Sequence, residues 1–301
     1  MDDLNLPEVQ GEYRKNYDLS KNTWFKVGGP AEVFYKPSNI NDLQKFLSQF
    51  AEEKQITVIG NCSNLIIRDS GIDGVVIKLG RAFAYTQQIS DNEIKVGCGA
   101  LNSSVAFFAS QKGLSGLEFL IGIPGTIGGG IRMNAGAYGT EFKDIIKYFT
   151  AIDHSGKIHQ FTPDEVEFSY RHCGLSHELI FIEAILKTNL STRELVKSKM
   201  EKINIERSKT QPIKEKTGGS TFANPQNAAT TKAWELIDQV GLRGYNIGGA
   251  MFSNKHCNFM INTGNATAKD LETLGDHAID KVFKETGVKL RWEIRRIGKY
   301  K

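Results

Sequence analysis

The chain has 301 residues, more than a typical single domain, and 40% of them are hydrophobic, so we expect two or three globular domains with well-filled cores. Its net charge of +4 is too small, and its basic residues too dispersed, to indicate binding to nucleic acid. No apolar run reaches the length of a membrane span, and the start MDDLNLPEVQ lacks the apolar region of a signal peptide, so we expect a cytoplasmic protein outside the membrane.

The first part of the chain alternates helix and strand. Apolar residues recur with a helical period from Ile40 to Lys54, after the candidate caps Ser38 and Asn39. Three strands and a second helix are then predicted in the order 56–60, 74–79, 94–100 and 102–113. The second helix is expected to end at Gly113, because glycine adopts the left-handed conformation that closes many helices.

Extended segments dominate the middle of the chain. YFTAIDHSGKIHQF predicts a hairpin with its turn at His154–Lys157, and EVEFSYR and ELIFIEAILKTNL also read as strands. A charged helix is predicted to begin at Ser191, which forms a capping box with Glu194, and to run to about Lys209. The polar stretch TQPIKEKTGGS after it predicts a domain boundary.

The last ninety residues read as a compact α/β unit. Helices are predicted near 230–240 and at Lys269–Thr286, the latter with Thr267 and Asp270 as a capping box. The chain then continues into one predicted final strand, VKLRWEIRRIG, in which apolar residues alternate with charged ones.

A glycine-rich segment, FLIGIPGTIGGGIRMNAGAYG at 119–139, is embedded among apolar residues and so differs from a polar, flexible linker. It lacks the Gly-Lys-Ser/Thr of a P-loop, and its glycines stand in the wrong order for the dinucleotide fingerprint G-x-G-x-x-G. Bare backbone can approach a ligand closely and offer N–H groups to an anion. The segment therefore predicts a ligand cradle, with a tightly packed core bend as the alternative.

Four other stretches could carry chemistry. The turn Gly60-Asn61-Cys62-Ser63-Asn64 repeats the small residues of the cradle, or is a plain turn. Ser220, after two glycines, is either a hydrogen-bond donor or general acid, or the cap of a turn. Glu293 is either a carboxylate beside a substrate or part of a solvated face with ion pairs. Arg171 is either an ordinary surface residue or a residue whose guanidinium binds a substrate carboxylate through two hydrogen bonds.

Cysteine and histidine show no metal-ligand spacing, so we expect no metal site. Cys62, Cys98, Cys173 and Cys257 are far apart and form no C-x-x-C pair, which favours reduced thiols over disulfides. His172 and His177, five residues apart, would not share one face of a helix.

Taken together, these segments resemble one family, the UDP-N-acetylenolpyruvoylglucosamine reductases (MurB), flavoenzymes of bacterial peptidoglycan precursor synthesis. The resemblance covers nearly the whole chain and keeps the family's order. It rests on NTWFKVGGPAE, GNCSNLIIRDSG, GLEFLIGIPGTIGGGIRMNAGAYG, FSYR, GGSTFANP, LIDQVGLRGYNIGGAMFSNKHCNFMIN and LRWEIRRIG. The segment after Arg171 lacks a tyrosine-bearing insertion, as in the second of the family's two types.

The resemblance implies an α+β protein with three parts. Residues 1–82 and 83–206 would be two small α+β subdomains of an FAD-binding region with the PCMH-type flavin fold, and residues 207–301 an α/β substrate-binding domain. FAD would be bound non-covalently, with backbone N–H groups on its pyrophosphate. The implied cofactor-binding residues are Asn61, Cys62, Ser63, Asn64, Leu65, Ile123, Pro124, Gly125, Thr126, Gly128, Gly129, Asn134, Ala135, Gly136 and Ala137.

The resemblance also implies the reaction and its residues. NADPH would reduce FAD, and a hydride would then pass to C3 of the enolpyruvyl group of UDP-N-acetylglucosamine enolpyruvate. Arg171 and Glu293 would stabilise the enolate-like charge and Ser220 would protonate C2. Asn224 would contact the UDP-sugar, with Gln211, Lys255 and His256 as further candidates for that role. No obligatory protein partner is implied.

Two departures from the family pattern carry expectations. Asn61 and Cys62 replace the middle glycines of the usual G-G-G-S-N loop, and we expect Cys62 to be partly exposed to oxidants. Ala223 replaces a frequent lysine, which removes a cation near a diphosphate. The alternatives to a reductase are an FAD-dependent oxidase of the same superfamily, acting on an alcohol or hydroxy acid, and a sugar-nucleotide-binding protein without chemistry.

Overall fold

The structure is a computed structural model that describes residues 5–50, 56–225 and 231–300. The end of the first predicted helix and the start of the helix predicted near 230–240 lie outside these residues. The described α-helices are α1 (Ile40–Gln49), α2 (Asn102–Lys112), α3 (Ile127–Arg132), α4 (Phe142–Ile145), α5 (Arg193–Thr210), α6 (Ala233–Gln239) and α7 (Ala268–Thr286). Short 3₁₀ helices cover Leu19–Lys21, Arg81–Phe83, Glu118–Gly122 and Pro163–Glu165.

Many of the strands are short. In the first half of the chain they are β1 (Glu12–Asp18), β2 (Pro30–Lys36), β3 (Ile56–Ile59), β4 (Leu65–Ile67), β5 (Ile72–Lys78), β6 (Thr86–Ser90), β7 (Glu93–Gly97), β8 (Leu114–Ser115), β9 (Gly136–Ala137), β10 (Thr140–Glu141) and β11 (Ile146–Ile152). In the second half they are β12 (Ile158–Phe161), β13 (Phe168–Ser169), β14 (His172–Cys173), β15 (Ile180–Lys187), β16 (Asn189–Leu190), β17 (Thr217–Ser220), β18 (Phe222–Ala223), β19 (Asn246–Ile247), β20 (Ala250–Phe252), β21 (Phe259–Asn262), β22 (Arg291–Trp292) and β23 (Arg295–Ile297).

The chain forms two compact units, each built from segments that are separate in sequence. Unit 1 contains Met1–Lys15, Val33–Asn61 and Gly74–Ile205. Unit 2 contains Asn16–Glu32, Cys62–Asp73 and Glu206–Lys301. The three-part division at 1–82, 83–206 and 207–301 stays a prediction.

Unit 1 is built on two sheets. A five-stranded antiparallel sheet has the order β12–β11–β15–β7–β6, and its core includes the apolar sides of α2 and α3. A second sheet, mainly in this unit, has the order β1–β2–β5–β3 and packs with Leu43, Phe46 and Leu47 of α1. Both sheets place apolar residues against helices, and the central strands β15 and β5 are buried along most of their length.

Unit 2 has a smaller core. Its four-stranded antiparallel sheet has the order β17–β21–β20–β19 and packs with α6 and α7. Two short pairings complete the unit: β18 with β22, and β4 with β23, which run parallel. The core includes Leu290 and Ile294 from the end of the chain, so the predicted inward face of that segment is confirmed.

Several predicted helix ends are confirmed by their capping bonds. Asn39 accepts the N–H of Asp42 at the start of α1, and Gly113 closes α2 with φ +67°. Thr267 and Asp270 form the expected capping box of α7. The box predicted at Ser191 is wrong by one residue, because α5 begins at Arg193 and the Thr192 hydroxyl accepts the N–H of Leu195 at 3.3 Å.

The single final strand is also wrong. The chain pairs with β18 at Arg291–Trp292, leaves the ladder at Glu293 and Ile294, and pairs with β4 from Arg295 onward. The alternation of apolar and charged residues continues through the break. The pattern therefore predicted which residues face the core without revealing the change of partner.

Candidate active site

The glycine-rich segment in unit 1 folds as a 3₁₀ turn, an extended link and the short helix α3. Gly125 has φ +118°, a backbone conformation open to glycine and strained for other residues. The backbone of Gly60 comes so close that a Cβ there would lie 2.7 Å from the Thr126 hydroxyl. Both glycines are therefore required by conformation or by close approach, which both a ligand cradle and a tightly packed bend would need.

Most of the N–H groups of this segment are already used inside the protein. Ile127 N–H donates to Ala100 O at 2.9 Å, and Gly128 N–H donates to Cys98 O at 2.9 Å. Gly129 N–H donates to the Thr126 hydroxyl at a longer 3.4 Å. Within the described residues, the structure gives no partner to the N–H groups of Gly125 and Thr126. These two N–H groups fit the expectation that the segment donates to an anion such as a phosphate.

Asn134 was predicted to bind the cofactor, but its side chain is fully committed within unit 1. It is completely buried, its Nδ2 donates to Glu141 Oε2 at 3.0 Å and to Ser169 O at 3.1 Å, and its Oδ1 accepts the N–H of Lys143 at 3.0 Å. Its backbone N–H is also used, by Ile131 O at 3.0 Å, so a role in binding would fall to its backbone carbonyl. The side chain ties the hairpin of β9 and β10 to that of β13 and β14.

Arg171 lies in the two-residue turn of the β13–β14 hairpin. The extended segment predicted as EVEFSYR therefore ends at Ser169, and the chain reverses through Tyr170 and Arg171. Arg171 has φ +56°, and its guanidinium donates to Gly136 O at 3.0 Å and lies over the Tyr170 ring. A strained, non-glycine residue held by a specific bond is typical of a functional position.

The loop at 61–65 belongs mostly to unit 2, and its Cys62 corrects an expectation. Cys62 is 2% exposed, so the predicted exposure to oxidants is wrong. Its φ of +50° is the left-handed conformation for which the family pattern supplies glycine. Cys62 O accepts the N–H of Trp24, and Leu65 begins β4. The side chain thus packs inward while the loop keeps the glycine-like backbone.

Ser220 ends β17 in unit 2. Pairing with β21 shifts register between Thr217 and Ser220, where Gly219 has φ +81° and a Cβ added to it would meet nothing within 4 Å. A Cβ on Gly218, by contrast, would lie 2.4 Å from the ring of Phe25. One glycine therefore allows close packing and the other turns the chain so that Ser220 follows an irregularity in the strand.

Glu293 is held beside the same segment. Its N–H donates to Thr221 O at 2.9 Å, and its carbonyl oxygen accepts the Asn64 side-chain amide at 3.1 Å. Ser220 and Glu293 are thus brought together through Thr221 within unit 2. Arg171 belongs to unit 1.

Asn258 is a structural residue that the motif analysis missed. Its Oδ1 accepts the N–H of Phe222 at 2.9 Å, its Nδ2 donates to Phe222 O at 2.8 Å, and its own carbonyl accepts Thr221 N–H at 2.7 Å. These bonds fix the backbone immediately after Ser220. Asn258 lies within NKHCNF, part of a motif shared with the family. Its place in that motif was the sequence feature that could have pointed to it.

The predicted substrate-binding residues have varied surroundings in unit 2. Asn224 is exposed, and its Oδ1 accepts the N–H of Ala233 at the start of α6. Lys255 donates to Ser208 O at 2.5 Å, and the Gln211 side chain accepts from Arg207 at 3.2 Å. His256 Nδ1 accepts the N–H of Asn258 at 3.2 Å, so its ring proton is on Nε2. Burial first, and the nearby Arg243 charge second, lower the pKa of His256 below its usual value.

Comparison with known proteins identifies the chain. Residues 31–162 match an FAD binding domain, and residues 211–297 match the C-terminal domain of UDP-N-acetylenolpyruvoylglucosamine reductases. The UDP-N-acetylenolpyruvoylglucosamine reductases of Rickettsia canadensis and Rickettsia massiliae are 55% and 56% identical over 297 residues, 99% of each chain. The crystal structure of the Thermus caldophilus reductase is 32% identical with a TM-score of 0.81, over 96% of this chain and 99% of that one.

The two matched domains define the class, an FAD-dependent oxidoreductase of α+β fold. The chain belongs to the UDP-N-acetylenolpyruvoylglucosamine reductase family, which confirms the resemblance carried by the motifs. The oxidase alternative is not favoured. Within the described residues, none of the helices has the length and apolar character needed to cross a bilayer.

Proposed function

We propose that the protein reduces UDP-N-acetylglucosamine enolpyruvate to UDP-N-acetylmuramate with NADPH, and that Arg171, Ser220 and Glu293 are its catalytic residues. The observation that carries the residue assignment is the bond from Glu293 N–H to Thr221 O, because it joins two motif residues that are remote in sequence. The reaction itself follows from membership of the family.

The cofactor is assigned to two segments that contain many glycines and other small residues. We assign FAD to the residues of 61–65 and 123–137. The N–H groups of Gly125 and Thr126, which have no acceptor in the part of the chain that the structure describes, are assigned as donors to its phosphates. When bound, FAD supplies the two-electron chemistry, accepting a hydride from NADPH and delivering it to the enolpyruvyl double bond. The positive φ of Gly125 and the lack of side chains at Gly60 and Gly129 support this assignment, since glycine lets a ligand come close to the backbone.

Ser220 is assigned the proton transfer. Its hydroxyl donates a proton to C2 of the substrate and recovers one from solvent after product release. A serine hydroxyl is a weak acid, so the transfer depends on a strongly basic carbon and a fixed geometry. The bonds of Thr221 and Phe222 to Asn258, directly after Ser220, support such a fixed position.

Arg171 and Glu293 are assigned to the charge that develops on the substrate. The guanidinium of Arg171 pairs with the substrate carboxylate, for which its planar fork is suited. Glu293, protonated or hydrogen-bonded so that it donates, stabilises the enolate-like carbon–oxygen system beside it. Asn224, Gln211, Lys255 and His256 are assigned to the UDP-sugar, with Asn224 offering its Nδ2 while Oδ1 caps α6.

The compartment and partners are part of the proposal. Cys62, Cys98, Cys173 and Cys257 are all buried and form no disulfide bond, as is typical of a protein from a reducing compartment, and we assign the reaction to the cytoplasm. The two small molecules, NADPH and the enolpyruvyl sugar nucleotide, are the only partners that the proposed reaction requires.

An anaerobic titration tests the activity. The FAD-loaded protein is bleached with one equivalent of NADPH, and UDP-N-acetylglucosamine enolpyruvate is then added without oxygen. The proposal expects the oxidised flavin spectrum to return in step with formation of UDP-N-acetylmuramate. Recovery of the spectrum only on admission of oxygen would support an oxidase and overturn the proposal.

A further inference from the structure

Asn64 bonds to the chain at Glu293 and again two residues later, at Arg295. Its Nδ2 donates to Glu293 O at 3.1 Å, and its own carbonyl accepts the N–H of Arg295 at 3.0 Å. The N–H of Glu293 is meanwhile used by Thr221 O at 2.9 Å. Both peptide groups flanking the Glu293 side chain are thus fixed, and one of them is fixed by a residue of the loop at 61–65.

The position of these bonds explains why a side chain is needed there. Glu293 lies where the chain stops pairing with β18 and starts pairing with β4, between the two ladders. A backbone carbonyl outside a ladder needs another donor when it is partly buried. The amide of Asn64 supplies that donor at the residue immediately before β4.

Within the proposed function, we infer that Asn64 is a positioning residue for Glu293, rather than a residue whose side chain binds the cofactor. Its amide holds the Glu293 peptide, and with it the direction in which the carboxyl leaves the chain. The role needs a donor, which asparagine has and aspartate in its ionised form lacks. Removing the side chain leaves the backbone bond from Arg295 to Asn64 in place, so β4 and β23 keep their pairing.

The test compares Asn64→Ala and Asn64→Asp in the native background and in the Glu293→Gln background. Three quantities are measured: the rate of flavin reduction by NADPH, the rate of anaerobic flavin reoxidation by the enolpyruvyl sugar nucleotide, and the dissociation constant of FAD from the apoprotein. In the native background, both variants should slow reoxidation by about tenfold or more, while flavin reduction stays within about twofold. The FAD dissociation constant should stay within about threefold, because the side chain faces Glu293.

The double variant distinguishes positioning of Glu293 from a general destabilisation of unit 2. If Asn64 acts through Glu293, the same substitution in the Glu293→Gln background should change reoxidation by less than about twofold. Asn262→Ala is the control for loss of a side-chain amide in the same unit. Its Nδ2 also donates to a backbone carbonyl, that of Phe25 at 2.8 Å, and its Oδ1 in addition accepts the N–H groups of Gly264 and Ala266, so general destabilisation should be at least as large. This control should not reproduce the selective loss of reoxidation.

The outcomes that overturn the inference differ from those that overturn the proposed function. Weakened FAD binding with equal slowing of both half-reactions would make Asn64 a cofactor contact. Additive effects of the Asn64 and Glu293 substitutions, or the same pattern in Asn262→Ala, would also refute positioning while leaving the role of Glu293 intact. Normal reoxidation in Glu293→Gln alone would refute both, since Asn64 would then have no catalytic group to position.

Discussion

The backbone N–H of Glu293 donates to the carbonyl oxygen of Thr221 at 2.9 Å, next to Ser220. Glu293 and Ser220 come from motifs far apart in the sequence. The carbonyl of Thr221, the residue after Ser220, holds the backbone of Glu293 beside them. A change in the backbone at 219–222 should therefore reach both residues. Suitable substitutions can separate a displacement of Ser220 or Glu293 from a simple loss of stability.

Gly219→Ala should lower both the stability of the protein and its rate of flavin reoxidation. Gly219 has φ +81°, so alanine is strained there by about 1 kcal/mol, although a Cβ meets nothing within 4 Å. The strain should move Ser220 and slow flavin reoxidation by substrate. Gly287→Ala is the matched control, with φ +72° and equally open space at the end of α7. Urea unfolding should give similar losses for both variants, and equal rates of reoxidation in both would contradict the prediction.

Asn134→Ala should destabilise unit 1 and disturb Arg171. The substitution leaves the partly buried N–H of Lys143 and carbonyl of Ser169 without their amide partner, at a cost of about 2 kcal/mol in the free energy of unfolding. Because Ser169 precedes the Arg171 turn, reoxidation by the enolpyruvyl sugar nucleotide should also slow. Urea unfolding and stopped-flow absorbance measure the two effects. A loss below about 0.5 kcal/mol would mean that the network is not a support for the hairpin.

Much of the fold could be predicted from the sequence, because helix ends depend on neighbours in the chain. Asn39, Gly113 and the Thr267–Asp270 box each act within one helical turn, and each was found where the sequence predicted it. The motif resemblance likewise identified the family. Ser220, by contrast, was distinguished from a turn cap through its motif alone.

What could not be predicted depends on bonds between distant segments. The final strand breaks at Glu293 because Thr221 and Asn64 supply partners there, and no local pattern reveals either bond. The N–H groups of Ile127 and Gly128 are similarly used by residues Ala100 and Cys98, so glycine content overstated how many donors the cradle can offer. Cys62 was misjudged because a left-handed backbone can still point its side chain inward.

The stability of the protein should fall on acidification partly through His256. Burial lowers the pKa of His256 in the folded protein, so between that pKa and about 6.5 the unfolded chain binds more protons. The contribution is therefore fully present above about pH 6.5, is lost as the pH falls toward the folded pKa, and then levels off. His256→Gln should flatten the pH dependence of the unfolding free energy between pH 8 and pH 5. An unchanged slope in this variant would contradict a lowered pKa.

Two substitutions at Asn224 should separate capping from substrate binding. Asn224→Ala removes the acceptor for Ala233 N–H and should cost about 1 kcal/mol of stability. Asn224→Asp keeps an acceptor at the start of α6 but loses the amide donor and adds a negative charge. It should keep near-native stability while raising KM for the sugar nucleotide. A native KM in the aspartate variant would exclude Asn224 as a substrate contact.

Anaerobic stopped-flow kinetics of Ser220→Ala test the central claim most directly. Flavin reduction by NADPH should stay near the native rate, while reoxidation by UDP-N-acetylglucosamine enolpyruvate should slow by about 100- to 10,000-fold, the usual contribution of a general acid. Ser48→Ala, an exposed serine on α1, is the control and should leave both rates unchanged. Equal slowing of the two half-reactions in Ser220→Ala, or a native rate of reoxidation, would contradict the assignment of Ser220 as proton donor.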